Sequence, residues 1–386
     1  MKEKTSIVFT GDIGFDKYMS EKWTDEELLS PEVLEFFHSA DHVDANVEGA
    51  MIRPEEVVDK SKGIFFHVMN PDAVCFLNKI EADIWNINNN HSMDGAAEGL
   101  ASTMKLAKEN GARTVGAGKN LAEAATPLIL DEAGGIGILS TGYYPTCVPA
   151  GEDKPGCLSW VDFETIQKTI DELKKTCRWC VLVCHGGEEF CSLPQPHVRN
   201  LYRKYLEMGV DVVVGHHPHV PQNYETFENG KMIFYSLGNF IFDTDYQRAQ
   251  CNTTTGILLR LEFTPDKVSY TAFGTHIERG IEHVVAGPLP GNFTDINGEE
   301  YEKLIHLSSK CRMIAEQKRQ AFLHPEKYTG ITEEEVLKIY DEKPAESYVK
   351  EGQMDFRHIH MLSQNWEEKA AESTLPAVRE YLLAQL

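Results

Sequence analysis

Residues 212–219 join a run of three valines to a cluster of histidines, a pattern that few fold classes accommodate. The valines at 212–214 are apolar and β-branched, as is typical of a buried strand. His216, His217 and His219 follow within a few residues. In an α/β fold, groups beyond the carboxyl ends of strands line the ligand crevice, and imidazole is a common metal ligand. The segment therefore predicts an α/β sheet with a metal-binding pair, His217 and His219, at one edge. A polar loop with incidental histidines is the alternative.

Side chains of the kind that bind metals also follow four other predicted strands. Before residue 295 the chain alternates strands with amphipathic helices, which is typical of a layered α/β fold. Loops at one edge of a sheet converge, so five such strand ends favour one shared site over separate surface loops. Carboxylate, amide and imidazole ligands suit manganese, iron or zinc, and two such ions would activate water and clamp a phosphoryl or acyl oxygen. The strand-end residues are Asp12, Asn46, Glu48, Asn90, His91, His185, His217 and His219.

Charge and composition exclude several classes of partner. The formal net charge of -23 argues against nucleic acid, whose binding relies on basic patches, and disfavours a long polyanionic substrate. The chain starts without an apolar region of signal-peptide length, and no stretch approaches the roughly 20 apolar residues of a membrane span. Nine scattered cysteines, an odd number, are typical of reduced proteins. We therefore predict a cytoplasmic protein that binds neither nucleic acid nor membranes.

The composition changes after about residue 295. Residues 301–322, 332–340 and 365–386 are charged, helical in pattern and free of strand signals. We predict one large α/β domain at residues 1–290 and a helical extension at residues 291–386. The extension either packs on the core or forms a homo-oligomer contact, and both interpretations stay open here.

Seven motifs occur in order along residues 5–280. They are Gly11-Asp12, Asn46-Val47-Glu48, Asn89-Asn90-His91-Ser92-Met93-Asp94, Gly116-Ala117-Gly118, His185-Gly186-Gly187-Glu188-Glu189, Gly215-His216-His217-Pro218-His219 and Tyr235-Ser236-Leu237-Gly238-Asn239-Phe240. Together they resemble the CapA family, which is named for poly-γ-glutamate capsule biosynthesis and is related to calcineurin-like metallophosphoesterases. The resemblance implies a four-layer α/β/β/α sandwich with a metal site at the strand ends. It does not cover the helical extension.

The resemblance also implies roles for single residues. His91 would face the leaving group, Asp94 would orient His91, and Glu189 is a candidate general base or an accessory group. The chain departs from the phosphoesterase pattern at Gly14, where a histidine is usual, so one ion loses a ligand. His216 or Glu189 would compensate. The implied ligands of one or two divalent ions are Asp12, Glu48, Asn90, His185, His217 and His219.

Metal-assisted hydrolysis is the function that these residues predict. Water acidified by the bound ions would attack a small phosphoester or a γ-glutamyl-like amide. Ser236 and Asn239 would line the substrate side, and Arg199 would meet an anionic group. A tight structural turn and a solvated helix face are the alternatives for these three residues. Two other functions also stay open: a non-catalytic accessory protein that binds poly-γ-glutamate, and a metal-binding scaffold that has lost catalysis.

Overall fold

Two main β-sheets, one of eight strands and one of six, form the centre of the protein. The computed structural model describes residues 3–57, 66–144, 146–296, 298–328, 330, 332, 334–336, 338 and 356–386. Two pairs of short strands accompany the main sheets. The strands are β1 Thr5–Ile13, β2 His42–Val47, β3 Ala50–Met51, β4 Val68–Met69, β5 Ile84–Asn86, β6 Arg113–Val115, β7 Ala117–Gly118, β8 Leu128–Leu130, β9 Ile136–Gly142, β10 Gly156–Cys157, β11 Trp179–His185, β12 Val212–His216, β13 Tyr224–Thr226, β14 Met232–Phe234, β15 Asn239–Ile241, β16 Thr255–Phe263, β17 Val268–Glu278 and β18 His283–Gly287.

The eight-stranded sheet has β1 near its middle. Its order is β18-β17-β16-β1-β2-β5-β6, and β15 pairs with the end of β1. β16 and β17, the two longest neighbouring strands of this sheet, form an antiparallel pair. β1, β2 and β5 run parallel, so their carboxyl ends meet at one edge of the sheet. Asp12, Glu48 and Asn90 lie at or just beyond those ends.

The six-stranded sheet carries the histidine segments. Its order is β13-β14-β12-β11-β9-β8, and β9, β11, β12 and β14 are parallel. β11 and β12 are buried along their whole length, which explains their nearly continuous apolar sequences. His185 is the last residue of β11, and His217 and His219 follow directly after β12.

The helices agree with the predicted pattern except at some ends. The apolar spacing of residues 25–38 predicts a helix, but the segment is helical only from Pro31, because proline is favoured in the first turn of a helix. The helix predicted at residues 196–208 has those bounds. The described α-helices are α1 Pro31–His38, α2 Val74–Lys79, α3 Ala96–Glu109, α4 Leu121–Ala124, α5 Phe163–Leu173, α6 Pro196–Met208, α7 Asp245–Arg248, α8 Gly298–Leu323, α9 Pro325–Tyr328, α10 Phe356–Ser363, α11 Trp366–Ala371 and α12 Pro376–Leu383.

The two sheets pack face to face, with helices on both outer faces. One face of β1 and β16 forms a single apolar cluster with β9, β11 and β12, which fills the space between the sheets. The other face of the first sheet packs against α1, α2 and α3, and that of the second sheet against α5 and α6. The four-layer α/β/β/α sandwich implied by the family resemblance is therefore confirmed.

Helices of the C-terminal region pack beside the strand-end loops. α8, α11 and α12 share an apolar cluster with Leu193, which lies in the loop after β11. Ala315 of α8 also packs with Phe190 and Val220. The helix predicted at residues 332–340 lies largely outside the described residues. A domain boundary at residue 290 and an oligomer contact through this region stay predictions. Among the helices of the described residues, none has both the length and the apolar character that a membrane crossing needs.

Candidate metal centre

The carboxylates of Asp12 and Glu48 form the centre of a fully buried cluster at the strand ends. The Glu48 N–H donates to the carbonyl of Ile13 over 2.9 Å, which ties the end of β1 to the residue after β2. Asn46 Nδ2 donates to Asp12 Oδ1 over 2.7 Å. Both carboxylate oxygens of Glu48 are buried without a hydrogen-bond partner among the described residues. Such a group is costly to bury unless a cation or donor approaches it.

His185 joins the two carboxylates from the second sheet. Its Nε2 lies 3.6 Å from Glu48 Oε1 and 2.8 Å from Asn90 Oδ1. Asp12, Glu48 and His185 each offer one donor atom, and these atoms lie within 4.8 Å of one another. The face-to-face sheets thus bring together groups that are far apart in the sequence.

The turn after β12 directs His217 and His219 into the same cluster. Their φ angles are 96° and 57°, a region that is costly for residues other than glycine and that is often found at functional sites. Donor atoms of Glu48, His217 and His219 lie within 4.8 Å of one another. His219 contacts both carboxylates, with Nδ1 3.2 Å from Asp12 Oδ2 and Nε2 3.7 Å from Glu48 Oε1.

The two carboxylates differ in their acidity. Burial alone would raise the pKa of Asp12, but hydrogen bonding with His216 and His219 outweighs it and lowers that pKa. Burial and the neighbouring Asp12 charge raise the pKa of Glu48 well above its usual value. Without a cation, the two neighbouring carboxyl groups therefore differ strongly in acidity, and Asp12 is the stronger acid.

The imidazoles of the cluster are also unequal. Burial lowers the pKa of His217 to about 4. Burial and the neighbouring His217 together lower the pKa of His185 well below its usual value. Burial would lower the pKa of His219, but the Glu48 and Asp12 carboxylates outweigh this effect and raise the pKa to about 10. His185 and His217 are consequently neutral at pH 7, which is the protonation state that a metal ligand requires.

The donor set fits a divalent cation. Glu48 belongs to both groups of donor atoms, and its two unpartnered oxygens would be satisfied by cations on either side. Carboxylate, amide and imidazole donors without thiolates suit manganese, iron or zinc. The candidate ligands that meet in this cluster are Asp12, Glu48, Asn90, His185, His217 and His219.

His91 and Asp94 form a hydrogen-bonded pair beside the cluster. His91 Nδ1 lies 2.8 Å from Asp94 Oδ2, and His91 Nε2 lies 4.0 Å from Glu48 Oε1. The ring therefore presents one nitrogen to the cluster while a buried carboxylate holds the other. This geometry matches the arrangement that the resemblance implied for the two residues, whose catalytic roles stay predictions.

Glu189 lies near the cluster but bonds elsewhere. Tyr246 Oη donates to Glu189 Oε2 over 3.1 Å. Burial would raise the pKa of Glu189, but electrostatic interactions with His217 and Arg319 outweigh it and lower that pKa. Arg319 belongs to α8, so the C-terminal region contributes charge next to the strand-end loops. The role of Glu189 as a general base stays a prediction.

Ser236 and Asn239 have structural partners inside the protein. Ser236 Oγ donates to the Val220 carbonyl over 2.8 Å and accepts from the Gly238 N–H over 3.2 Å. Asn239 Oδ1 lies 2.9 Å from His219 Nδ1, while Asn239 Nδ2 donates to Gln247 Oε1 and to the Thr253 carbonyl. Asn239 therefore orients a candidate ligand, and Ser236 holds the turn. Substrate binding by either stays a prediction.

Arg199 is engaged away from the cluster. Its Nε donates to Glu225 Oε1 over 2.7 Å, and its guanidinium lies 4.0 Å above the ring of Tyr301. None of the contacts described for Arg199 involves a candidate metal ligand. Its predicted role in binding an anionic substrate has no contact to support it and stays a prediction.

Two histidines complete the surroundings of the cluster. His216, which the sequence left as an optional ligand, has Nδ1 3.6 Å from Asp12 Oδ1. His67 was not anticipated, and its ring centroid lies 5.3 Å from that of His91. No sequence motif marks His67, which lies directly before the short strand β4.

Comparison with known proteins relates this chain to capsule synthesis proteins. The model of a family described as "Bacterial capsule synthesis protein PGA_cap" matches residues 6–244, which include every candidate ligand. The chain is 32% identical over 252 residues to "PGA biosynthesis protein CapA" of Bacillus subtilis (strain 168), covering 64% of this chain and 65% of the relative. It is 28% identical over 257 residues to "Capsule biosynthesis protein CapA" of Bacillus anthracis, covering 64% and 62%. The chain thus spans less than two thirds of either relative's length.

Two more distant similarities were found. A "Probable polyglutamine synthesis accessory protein" of Mycobacterium tuberculosis is 25% identical over 213 residues, covering 51% of this chain and 54% of the relative. The crystal structure of the protein TT1561 of Thermus thermophilus aligns with a TM-score of 0.37 and 11% identity, covering 69% of this chain and 98% of that protein. A TM-score this low supports no inference about fold or function.

Proposed function

This chain belongs to the bacterial capsule synthesis protein (CapA) family, and we propose that it is a metal-dependent hydrolase acting on a γ-glutamyl-type amide. The observation that carries the proposal is the buried cluster of Asp12, Glu48 and three imidazoles, in which both Glu48 oxygens lack a described hydrogen-bond partner. The names of the relatives, which refer to PGA and polyglutamine synthesis, favour a glutamyl substrate. The net charge of -23 favours a small substrate over a long polyanion, and a small phosphoester is the second substrate class.

The proposed chemistry combines a bound cation with fixed protein groups. Divalent cations held by Asp12, Glu48, His185, His217 and His219 would polarise the oxygen of the scissile group and acidify water. The neutral forms of His185 and His217 leave their lone pairs available for such cations.

His91 is the proposed general acid. Its Nδ1 is held 2.8 Å from the Asp94 carboxylate, which stabilises the protonated ring and fixes its orientation. The proton on Nε2, which faces the Glu48 side of the cluster, would pass to the leaving amine nitrogen. Aromatic rings line the His219 side of the cluster: the ring of Phe242 lies 4.8 Å from that of His219, and the ring of Phe190 lies 6.1 Å from it.

A non-catalytic role in assembling a glutamyl polymer is the second candidate function. The relative from Mycobacterium tuberculosis is described as an accessory protein, which favours this alternative. Turnover separates the two functions. The substrates to test are γ-glutamyl anilides and phosphomonoester and phosphodiester analogues. Hydrolysis of any of them that requires added metal supports the hydrolase. Metal binding without turnover of any of them favours the accessory role.

The test of the proposed site is metal retention by the purified full chain. After incubation with manganese, zinc or iron and desalting, we expect elemental analysis to find between about one and two ions per chain. A His217→Ala variant is expected to lose at least one ion, because the ring is part of a buried donor group. His38→Ala is the matched control, since His38 contacts a surface carbonyl instead. Equal, negligible metal in all three proteins would overturn the proposal.

Replacement of Asp94 by Asn is expected to lower turnover about 10- to 100-fold while metal content stays unchanged. The carboxylate that favours the protonated His91 ring is lost, so the alkaline limb of the pH–rate profile should move to lower pH. Rates measured across pH 5 to 9 on the metal-loaded protein test this. A uniform loss of rate with an unshifted profile would contradict the proposed role of the pair.

A further inference from the structure

His67 has one ring nitrogen with a partner and one without. Its side chain is buried, with 3% of the residue exposed. Nδ1 lies 3.2 Å from Asp16 Oδ2. Nε2 is buried and has no hydrogen-bond partner within the described parts of the chain. Since Nδ1 faces a carboxylate, it is the nitrogen that carries the hydrogen, which leaves a lone pair on Nε2. A buried imidazole lone pair with nothing to bind is unusual in a folded protein.

The unpartnered nitrogen lies between the chain segments that carry the two carboxylates. A Cβ atom added at Gly14 would come 2.5 Å from His67 Nε2, and one added at Gly49 would come 3.2 Å from it. Gly14 is two residues after Asp12, and Gly49 directly follows Glu48. The two glycines therefore leave the space that the His67 ring fills. Any larger residue at position 14 would also collide with Phe242.

His67 also shares contacts with the proposed acid. Its backbone N–H donates to Asp94 Oδ2 over 2.8 Å, the same oxygen that lies 2.8 Å from His91 Nδ1. The rings of His67 and His91 are nearly perpendicular, with centroids 5.3 Å apart. The position of His67 is thus set by the same carboxylate that orients His91.

We propose that His67 supplies a further nitrogen ligand, through Nε2, to a divalent cation held by Asp12 and Glu48. This inference rests on the proposed function, because it concerns the same cluster. Asp16 fixes the tautomer of the ring, as carboxylates commonly do for histidines that bind metals. Because Gly14 has no side chain, there is room beside it for a histidine from a distant segment of the chain. The site selects manganese, iron or zinc over calcium, since another imidazole is added to the donors.

The inference is tested by cobalt binding to the full chain, because the visible spectrum of cobalt reports its ligands without any need for turnover. Four proteins are titrated with cobalt: the wild type, His67→Ala, His67→Gln and the surface control His38→Ala. Glutamine at position 67 keeps much of the volume and an amide N–H for Asp16, but it is a poor metal ligand. Circular dichroism of each protein establishes that it is folded.

We expect both His67 variants to bind cobalt at least about tenfold more weakly at one site, with an altered spectrum, while His38→Ala matches the wild type. If glutamine restores wild-type binding and spectrum, or if neither variant changes them, His67 is a structural residue and the inference is overturned while the proposed function stands. If the wild type itself binds no cobalt, zinc or manganese, the proposed function fails and this inference fails with it.

Discussion

Replacing Glu48 with Gln is expected to abolish cation binding by the cluster and, at the same time, to stabilise the cation-free protein. Glu48 Oε1 lies within 4.0 Å of nitrogen atoms of His91, His185 and His219, and it belongs to both groups of donor atoms. Removing its charge therefore weakens every cation position in the cluster. We expect affinity for manganese to fall at least about 100-fold. Loss of a residue that only hydrogen-bonds to a metal ligand costs up to about 100-fold, and Glu48 is itself a candidate ligand.

The gain in stability follows from the raised pKa of Glu48. Burial and the neighbouring Asp12 raise that pKa in the folded state above its value of about 4.5 in the unfolded chain. The contribution of Glu48 to stability is therefore fully present below about pH 4.5 and is lost as the pH rises toward the folded pKa. Between its unfolded and its folded pKa, Glu48 lowers the free energy of unfolding by up to about 1.36 kcal/mol per pH unit. A neutral glutamine does not carry this cost.

Urea unfolding in the presence of EDTA at pH 6, 7 and 8 measures the gain in stability. The free energy of unfolding of Glu48→Gln is expected to exceed that of the wild type, with a difference that grows with pH. Manganese is expected to raise the melting temperature of the wild type but not that of the variant. Glu98→Gln, which changes an exposed glutamate, is the control and should behave as wild type. Persistent manganese stabilisation of Glu48→Gln would contradict the central position of Glu48 in the site.

Replacing Asp44 with Asn is expected to stabilise the protein at neutral pH, because a buried carboxyl group without a partner resists ionisation and an amide carries no such cost. Asp44 lies on β2 between its register partners Phe9 on β1 and Ile84 on β5, both of which belong to the apolar cluster between the sheets. Neither carboxylate oxygen of Asp44 has a hydrogen-bond partner in the described ranges. Burial, with a smaller effect from Asp83, raises its pKa well above the usual value of 3.8.

The pH dependence distinguishes this effect from a change in packing. With a raised folded pKa, the contribution of Asp44 to stability is present below about pH 3.8 and is lost as the pH rises. The advantage of Asp44→Asn should therefore shrink as the pH falls from 7 toward 5, by up to about 1.36 kcal/mol per pH unit. Urea unfolding at several pH values measures it, with the exposed Asp266→Asn as control. A gain that does not vary with pH, or a loss of stability at pH 7, would contradict the raised pKa of Asp44.

The two replacements also separate function from stability. Asp44 is buried between the sheets and is not among the donor groups, so metal content should be unchanged in Asp44→Asn. Glu48→Gln is expected to lose metal and gain stability together. That contrast reflects a common cost of functional sites, where a charge needed for binding is buried before its ligand arrives.

Much of the candidate site was predictable because its residues stand at strand ends. The valine run of β12 identifies a buried strand, and the histidines after it lie at its carboxyl end. The same reasoning connects Asp12, Glu48 and His185 to β1, β2 and β11. Strand direction and side-chain period are local properties, and parallel strands place their ends at one edge. These positions therefore follow from the sequence with few further assumptions.

The amino-acid sequence by itself determined the strand and helix alternation, the family and the edge of the sheet at which the polar groups gather. Only the tertiary structure decided which side chains meet. It joins Arg199 to Glu225, turns Asn239 toward His219, and brings His67 into the gap left by Gly14. Periodicity reports neighbours within a few residues, whereas these contacts join residues about 20 or more apart and depend on how the sheets and loops pack. For that reason His67, the histidine next to Gly14, could be identified only from the folded structure.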